Sequence, residues 1–155
     1  VSFSTPYFTD GLSVMVRSDS KLRDVSDLKG KKLLAFINST GFDYARKQEL
    51  TTAIVTEIPL RYLDDAWRMV EDRVVDAFIN DASYLNSFSR KNKLLRTWKT
   101  RLTDESWGIA VRKGNVGLLK KIDAGLEKLT TGGEVEKIFE KHGVPWRLGA
   151  KAHED

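Results

Sequence analysis

Three residues have the types and placement to bind a small charged molecule. Ser39 and Thr40 offer hydroxyls at the start of a helix candidate, just after the apolar run Leu33-Leu34-Ala35-Phe36-Ile37. A helix start leaves backbone N–H groups without intrahelical carbonyls, and these donors with the hydroxyls make an anion site. Asp81 follows a second apolar run, Val74 to Ile79. If both runs are strands of one parallel sheet, the two positions emerge at the edge where ligands of open α/β sheets bind. An anion-binding helix end beside a carboxylate has the complementarity of a zwitterion such as a free amino acid. The plainer reading makes Ser39 and Thr40 helix N-caps and Asp81 the cap of a helix over 82–90. Both readings stay open from the residues alone.

Other chemistry has little to stand on. The chain has no Cys, which excludes disulfides, thiol catalysis and thiolate metal sites. It contains no nucleophile elbow, Walker loop, dinucleotide fingerprint or zinc-protease helix. His142 and His153 lie at a helix end and in the C-terminal segment, without metal-ligand spacing to another candidate. No metal site and no cofactor is therefore expected. Asp64-Asp65 and Asp104-Glu105 are adjacent acids. Neighbouring side chains point in different directions, so neither pair forms a general acid/base couple by itself. They read as helix N-terminal charge and loop solvation.

The elements that would position these residues follow from hydrophobic periodicity. In Gly11 to Arg17, Leu12, Val14 and Val16 alternate with Ser13, Met15 and Arg17, which predicts a half-buried strand. Ser26 is placed to cap one short turn ending at Gly30. The run 33–37 predicts a strand buried on both faces, followed by a helix over Phe42 to Leu50. Ile54 to Ile58 is a second strand. Leu63, Ala66, Trp67 and Val70 follow helical spacing, with Asp64 and Asp65 in the first turn. Strand 74–79, helix 82–90 and strand 94–98 complete an alternation that predicts βαβ units, a mainly parallel sheet and helices on both faces. Ser106 to Arg112 is a further strand. Two helices close the chain. Val116, Leu119, Ile122, Leu126 and Leu129 form the stripe of the first, and Val135, Ile138 and Phe139 that of the second, which Pro145 ends.

Composition bounds the class. The 155 residues carry 26 Lys+Arg against 22 Asp+Glu, a net charge of +4, with 41% hydrophobic and 31% charged residues. This describes a globular chain of one domain or two small lobes. No apolar run approaches the ~18 residues of a membrane helix, and residue 1 already lies in a folded-looking segment, so any export signal is expected to have been removed or never to have been part of this sequence. Residues 86–101 hold six Lys/Arg and no acid, so the excess charge is local. A nucleic-acid reading would use Phe88 and Trp98 there as stacking platforms. The plainer reading is a solvated helix end followed by an exposed strand edge blunted by Lys and Arg. No nucleic-acid motif surrounds the stretch, and no nucleic-acid partner is expected.

Five segments in order resemble a known family. FSTPYF (3–8), DLKGKKL (27–33), NSTGFDYA (38–45), VVDAFINDASYL (74–85) and WGIAVRKGN (107–115) are similar to the FSDPYY, DLKGKKV, GTT-type turn, VDAVVAD and YGIAVRK segments of the family 3 extracellular solute-binding proteins of amino-acid ABC transporters. The resemblance runs to about Gly143. It implies a type II periplasmic-binding-protein-like α/β fold, with lobe 2 at 11–104, partial lobe 1 at 1–10 and 105–143, and a tail at 144–155. It implies that Ser39 and Thr40 hold a ligand α-carboxylate and that Asp81 holds the α-amino group. Tyr7 matches an aromatic near the first crossover, and Tyr62 falls where some members reach the ligand side chain. Glycine is usual where Asn38 stands, and a Gly-Arg pair is usual where the chain has Asp72-Arg73-Val74. The family's N-terminal segment, which carries most of lobe 1, has no counterpart here. A fragment, a split-gene product or half of a two-chain assembly is therefore expected.

The expectation is non-enzymatic binding of a small polar solute, an amino acid, for uptake in the periplasm or outside the cell. The partners are a membrane permease and, through the incomplete lobe 1, a complementary chain or a second copy. The alternatives are a ligand-sensing domain of a membrane receptor, or an enzyme on this scaffold such as a dehydratase or a lytic-transglycosylase lobe, for which only Asp81 could serve as the required acid.

Overall fold

A computed structural model of the chain describes residues 1–50, 54–55 and 65–147. They fall into two compact units, one of residues 12–103 and one of residues 1–11 with 104–155.

The 12–103 unit is a five-stranded sheet. Its strands are β3 (Leu12–Arg17), β4 (Leu33–Leu34), β5 (Ile54–Val55), β6 (Ala77–Asp81) and β7 (Leu95–Thr97). Their spatial order is β5-β4-β6-β3-β7. β4 runs parallel to β5 and β6, while β3 is antiparallel to both β6 and β7. The four strands between residues 33 and 98 thus share one direction, as their alternation with helices predicts. The sheet is nevertheless mixed, because β3, which precedes them in sequence, is inserted between β6 and β7.

That insertion corrects the reading of residues 11–17 as half-buried. Leu12, Ser13, Val14, Met15 and Val16 are all buried. Period-2 side-chain alternation sends Val14 and Val16 of β3, Leu33 of β4, and Ala77 and Ile79 of β6 to one core, with Leu28 and Trp98. The intervening Met15, Leu34 and Phe78 join a second core with Phe36, Val75 and Leu95. α1 (Thr40–Lys47) covers the first face through Ala45. α2 (Ala66–Glu71) and α3 (Ala82–Ser89) cover the second through Ala66, Val70 and Leu85. The unit is therefore three-layered. Ser13 tolerates its buried position because its hydroxyl donates to the Trp98 carbonyl at 3.0 Å.

Polar clamps close the sheet ends. The Lys32 N–H donates to the Asp76 carboxylate at 2.8 Å, and the Asp76 N–H returns to the Lys32 carbonyl at 2.7 Å, fixing β4 against β6. A capping box of Asp24 and Asp27 starts the 3-10 turn Val25–Leu28. Arg96 on the edge strand β7 donates to the carbonyls of Ser20 (3.2 Å) and Leu22 (2.6 Å). The plainer reading of 86–101 expects an exposed edge blunted by charge; Arg96 carries such a charge, but it is turned onto backbone carbonyls, and Leu95 is buried. Trp98 is buried, its indole N–H on the Leu22 carbonyl at 3.3 Å, and Phe88 stacks on Trp67 at 5.9 Å. Both proposed stacking platforms are thus engaged within the unit. The two ends of this unit meet. The Leu12 N–H donates to Thr103 Oγ1 at 2.9 Å, and the Leu102 N–H to the Leu12 carbonyl at 2.8 Å.

The second unit pairs β1 (Ser2–Phe3) with β9 (Ala110–Val111) and β2 (Phe8–Asp10) with β8 (Glu105–Trp107), all antiparallel. The single strand expected over 106–112 is broken at Gly108. A Cβ there would lie 2.9 Å from the Ser4 carbonyl oxygen, and the next N–H, of Ile109, donates to Ser4 Oγ at 2.8 Å. α4 (Val116–Thr131) and α5 (Glu134–Lys141) follow, separated at Gly133, whose φ of 74° lies in the left-handed region. Phe8 is the buried centre, 4.5 Å from Phe139 and 5.7 Å from Trp107 between ring centroids. None of the described residues of α4 is buried, and Val116 and Leu129 of its predicted stripe are 57% and 46% exposed. In α5, Val135 is buried but Ile138 is 56% exposed. In the segment read as a tail, the Trp146 indole donates to the Tyr7 carbonyl at 2.9 Å, and the Arg147 carbonyl accepts from the Thr9 N–H at 2.9 Å. Among the described residues no helix is long and apolar enough to cross a membrane.

Phe78→Ala empties the middle of the second core, where the ring meets Phe36 at 5.6 Å and Tyr84 at 6.2 Å. A loss of about 3–5 kcal/mol is expected from urea unfolding. Arg17 and Arg73 both bond the Asp19 carboxylate, at 3.1 and 2.8 Å. The Arg17 hydrogen bond is the largest influence and holds this carboxyl below the usual aspartate range. A lowered folded-state value means that the contribution to stability is present above the ordinary aspartate range and fades as pH falls through the lowered one. Carbon-detected NMR titration should find Asp19 shifted down, and Arg17→Met should move it back up.

Candidate functional site

The turn after β4 is built from Phe36 to Thr40. Asn38 takes φ 61°, a left-handed conformation that glycine adopts without cost and that asparagine tolerates better than most residues. Ser39 is the N-cap of α1. Its hydroxyl accepts from the Phe42 N–H at 3.2 Å and donates to the Phe36 carbonyl at 2.5 Å. The Ser39 hydroxyl is thus engaged on both sides in holding the turn. Thr40, the first helical residue, is exposed. By helix geometry the first-turn N–H groups have no carbonyl within the helix to receive them, which concentrates donor character at this end.

Asp81 closes β6, opposite Leu12 of β3, and its N–H donates to the side-chain oxygen of Asn80 at 2.8 Å. It occupies the N-cap position of α3, yet its side chain makes no capping bond to that helix. Asp81 is partly buried.

Two observations bring these groups to one edge. Leu34 of β4 lies opposite Phe78 of the parallel β6. The chain leaving β4 toward Ser39 and the chain ending β6 at Asp81 therefore emerge side by side. Gly41 then seats α1 on β6. A Cβ at Gly41 would lie 3.0 Å from the Ile79 carbonyl oxygen and 3.4 Å from its Cγ2. A helix N-terminus and a carboxylate thus share one sheet edge, an arrangement with the charge complementarity of a zwitterion. Gly41 and Asn80 were not singled out by sequence reasoning. The signal for Gly41 was its place one residue after the hydroxyl pair, and for Asn80 its place one residue before Asp81.

The other two candidates are Tyr7 and Tyr62. Tyr7 belongs to the 1–11 and 104–155 unit, where its ring leans on Phe139 at 6.5 Å and its N–H donates to the Trp107 carbonyl at 3.0 Å. Its neighbour Phe8 is buried. Tyr62 lies outside the described residues. Among the described residues no group of three metal-ligating side chains is gathered.

The chain is similar to proteins whose names describe binding. It is 32% identical over 142 residues to the ABC transporter glutamine-binding protein GlnH of Bacillus subtilis, covering 91% of this chain and 51% of GlnH. A crystal structure of a mutant of ArgBP from T. maritima superposes with a TM-score of 0.78 at 31% identity, over 91% of this chain and 61% of that one. The GluR0 ligand-binding core from Nostoc punctiforme, in complex with L-glutamate, gives a TM-score of 0.77 at 26% identity, over 92% of this chain and 65% of that one. The chain spans about half the length of the curated relatives it matches. The model of the bacterial extracellular solute-binding proteins, family 3, matches residues 1–145. With that match across both units, and with the sheet, the turn and the β6 edge built as described, the chain belongs to the bacterial extracellular solute-binding proteins of family 3.

Proposed function

We propose that this protein captures an amino acid, without chemical conversion, and delivers it to the permease of an ABC transporter in the periplasm or at the cell exterior. The observation that carries this reading is the shared edge of the α1 N-terminus and Asp81. In it, the Thr40 hydroxyl and the N–H groups of Thr40 and Gly41 hold the α-carboxylate, Ser39 maintains the turn by taking the Phe42 N–H, and Asp81 holds the α-ammonium. Charge-assisted hydrogen bonds of this kind are roughly twice as strong as neutral ones. The roles of Tyr7 and Tyr62 rest on the family resemblance. The relatives named for glutamine and arginine support an amino-acid ligand, and their names as binding proteins support non-enzymatic capture. A second reading, a ligand-sensing domain of a membrane receptor, is supported by the likeness to the GluR0 core. It would use the same site with a different output.

Removing the carboxylate partner of a desolvated ligand ammonium costs roughly 2–5 kcal/mol. Asp81→Ala is therefore expected to weaken binding of the best L-amino acid by well over tenfold. Calorimetry with the twenty common amino acids, on the protein at its full natural length, checks this, and unchanged affinity overturns the assignment.

The exposed face of α4 supports a second part of the proposal. Its apolar stripe is covered by a further polypeptide, either a complementary segment or a second copy of this chain. The isolated 155-residue chain is expected to self-associate at micromolar concentration in light scattering. A monomer whose residues 105–143 are protected from hydrogen exchange overturns this.

A further inference from the structure

We infer that Gly41 is a positioning residue for ligand binding: by lacking a side chain it lets the N-terminus of α1 rest on the Ile79 carbonyl, and so sets the span between the carboxylate-holding turn and Asp81. The inference rests on the reading of Thr40 and Asp81 as an amino-acid site, and goes beyond it by naming what fixes their separation.

The span matters because one rigid ligand must satisfy both ends at once. The α-carboxylate and α-ammonium of an amino acid are joined through a single carbon, so neither end of the site can drift without loosening a contact. On the Asp81 side the position is secured by the sheet. Asp81 pairs with Leu12, and the ladder continues through Ser13–Asn80 and Val14–Ile79. On the Thr40 side the turn is secured internally, by Ser39 on Phe36 and Phe42. What relates the two is the contact of α1 with β6. Gly41 is buried, and its closest approach is to the Ile79 backbone, two residues before Asp81. A methyl group at 3.0 Å from a backbone oxygen lies inside ordinary van der Waals contact. The helix start must lift by a few tenths of an ångström to admit it. Gly41 is not among the residues with positive φ, so its backbone conformation is open to alanine. The space, not the torsion, demands glycine.

This separates positioning from folding. Glycine inside a helix is a poor helix former, and alanine there ordinarily stabilises. Gly41→Ala therefore sets a gain in helix propensity against a shift in the helix start. The test is calorimetry on the full natural-length protein with two pairs of probes: L-arginine with agmatine, and L-glutamine with 4-aminobutanamide. The second member of each pair keeps the amine and lacks the carboxylate. The expected result is a roughly tenfold weaker affinity for whichever L-amino acid binds the parent protein. The amine affinity should be unchanged and the melting temperature little altered. Gly41→Val should extend the loss. In the double variant Gly41→Ala with Asp81→Asn, the two losses should fail to add, because both act on one ligand span.

Equal weakening of amino acid and amine, or weakening that follows a fall in melting temperature, would make Gly41 a merely structural residue and overturn the inference. So would unchanged affinity for the amino acid in Gly41→Ala when Asp81→Asn still weakens it. If neither amino acid binds the parent, the inference fails; if Asp81→Asn leaves affinity unchanged, or none of the twenty common amino acids binds the parent, the underlying site reading fails as well.

Discussion

Burial of β3 on both faces is the constraint from which residues 12–103 are assembled. A strand whose odd and even side chains must both leave water needs a layer above and a layer below, and hydrogen-bonded neighbours on either edge. β6 and β7 supply the neighbours. α1 supplies one layer, and α2 with α3 the other. Each fully buried Val, Met or Leu contributes on the order of 1.5–3 kcal/mol, so a one-residue slip of β3 would misplace both cores at once. The candidate edge is tied to this strand. Asp81 is the last residue of the strand paired to β3, and the turn bearing Thr40 rests on that same strand through α1.

Charge is distributed in keeping with this arrangement. Of the six basic residues of 86–101, Arg90 follows α3 directly, Lys91 and Lys93 lie in the link to β7, Arg96 is in β7, and Lys99 and Arg101 come after it. They blunt the edge strand at one side of the sheet, and Arg96 serves as much by covering carbonyls as by its charge. Arg17 likewise reaches the Glu71 carbonyl at 2.6 Å besides pairing with Asp19. Within this stretch Arg96, Trp98 and Phe88 make their contacts inside the unit.

The sequence made the alternation of elements legible because strands and helices here carry clean periods of 2 and 3.6. It did not make the strand order legible. Nothing local in Leu12 to Arg17 says that this segment is central, and Ser13 pointed toward a solvated face. Its acceptability inside depends on the Trp98 carbonyl, 85 residues away. The run 33–37 was read as a whole strand, yet only Leu33–Leu34 pair, because the chain then leaves the sheet for the turn at Asn38. The break at Gly108 was likewise invisible, since its cause is the Ser4 backbone. At the candidate site the hydroxyls and the carboxylate could be picked out by type and position. The seating of Gly41 on Ile79 could not, because it is a contact between segments 38 residues apart.

The meeting of Leu12 with Leu102 and Thr103 bears on how such a protein can be built. A segment that enters and leaves its host through adjacent strands asks little of the host, whose own loop is neither stretched nor strained by its presence. The entropic penalty for closing a host loop grows only as the logarithm of its length, and tolerated insertions and permutations concentrate where chain ends lie together. Residues 12–103 thus have the geometry of a cassette, one that could be moved between scaffolds, or acquire a new host, while keeping its cores, its sheet and its edge chemistry intact.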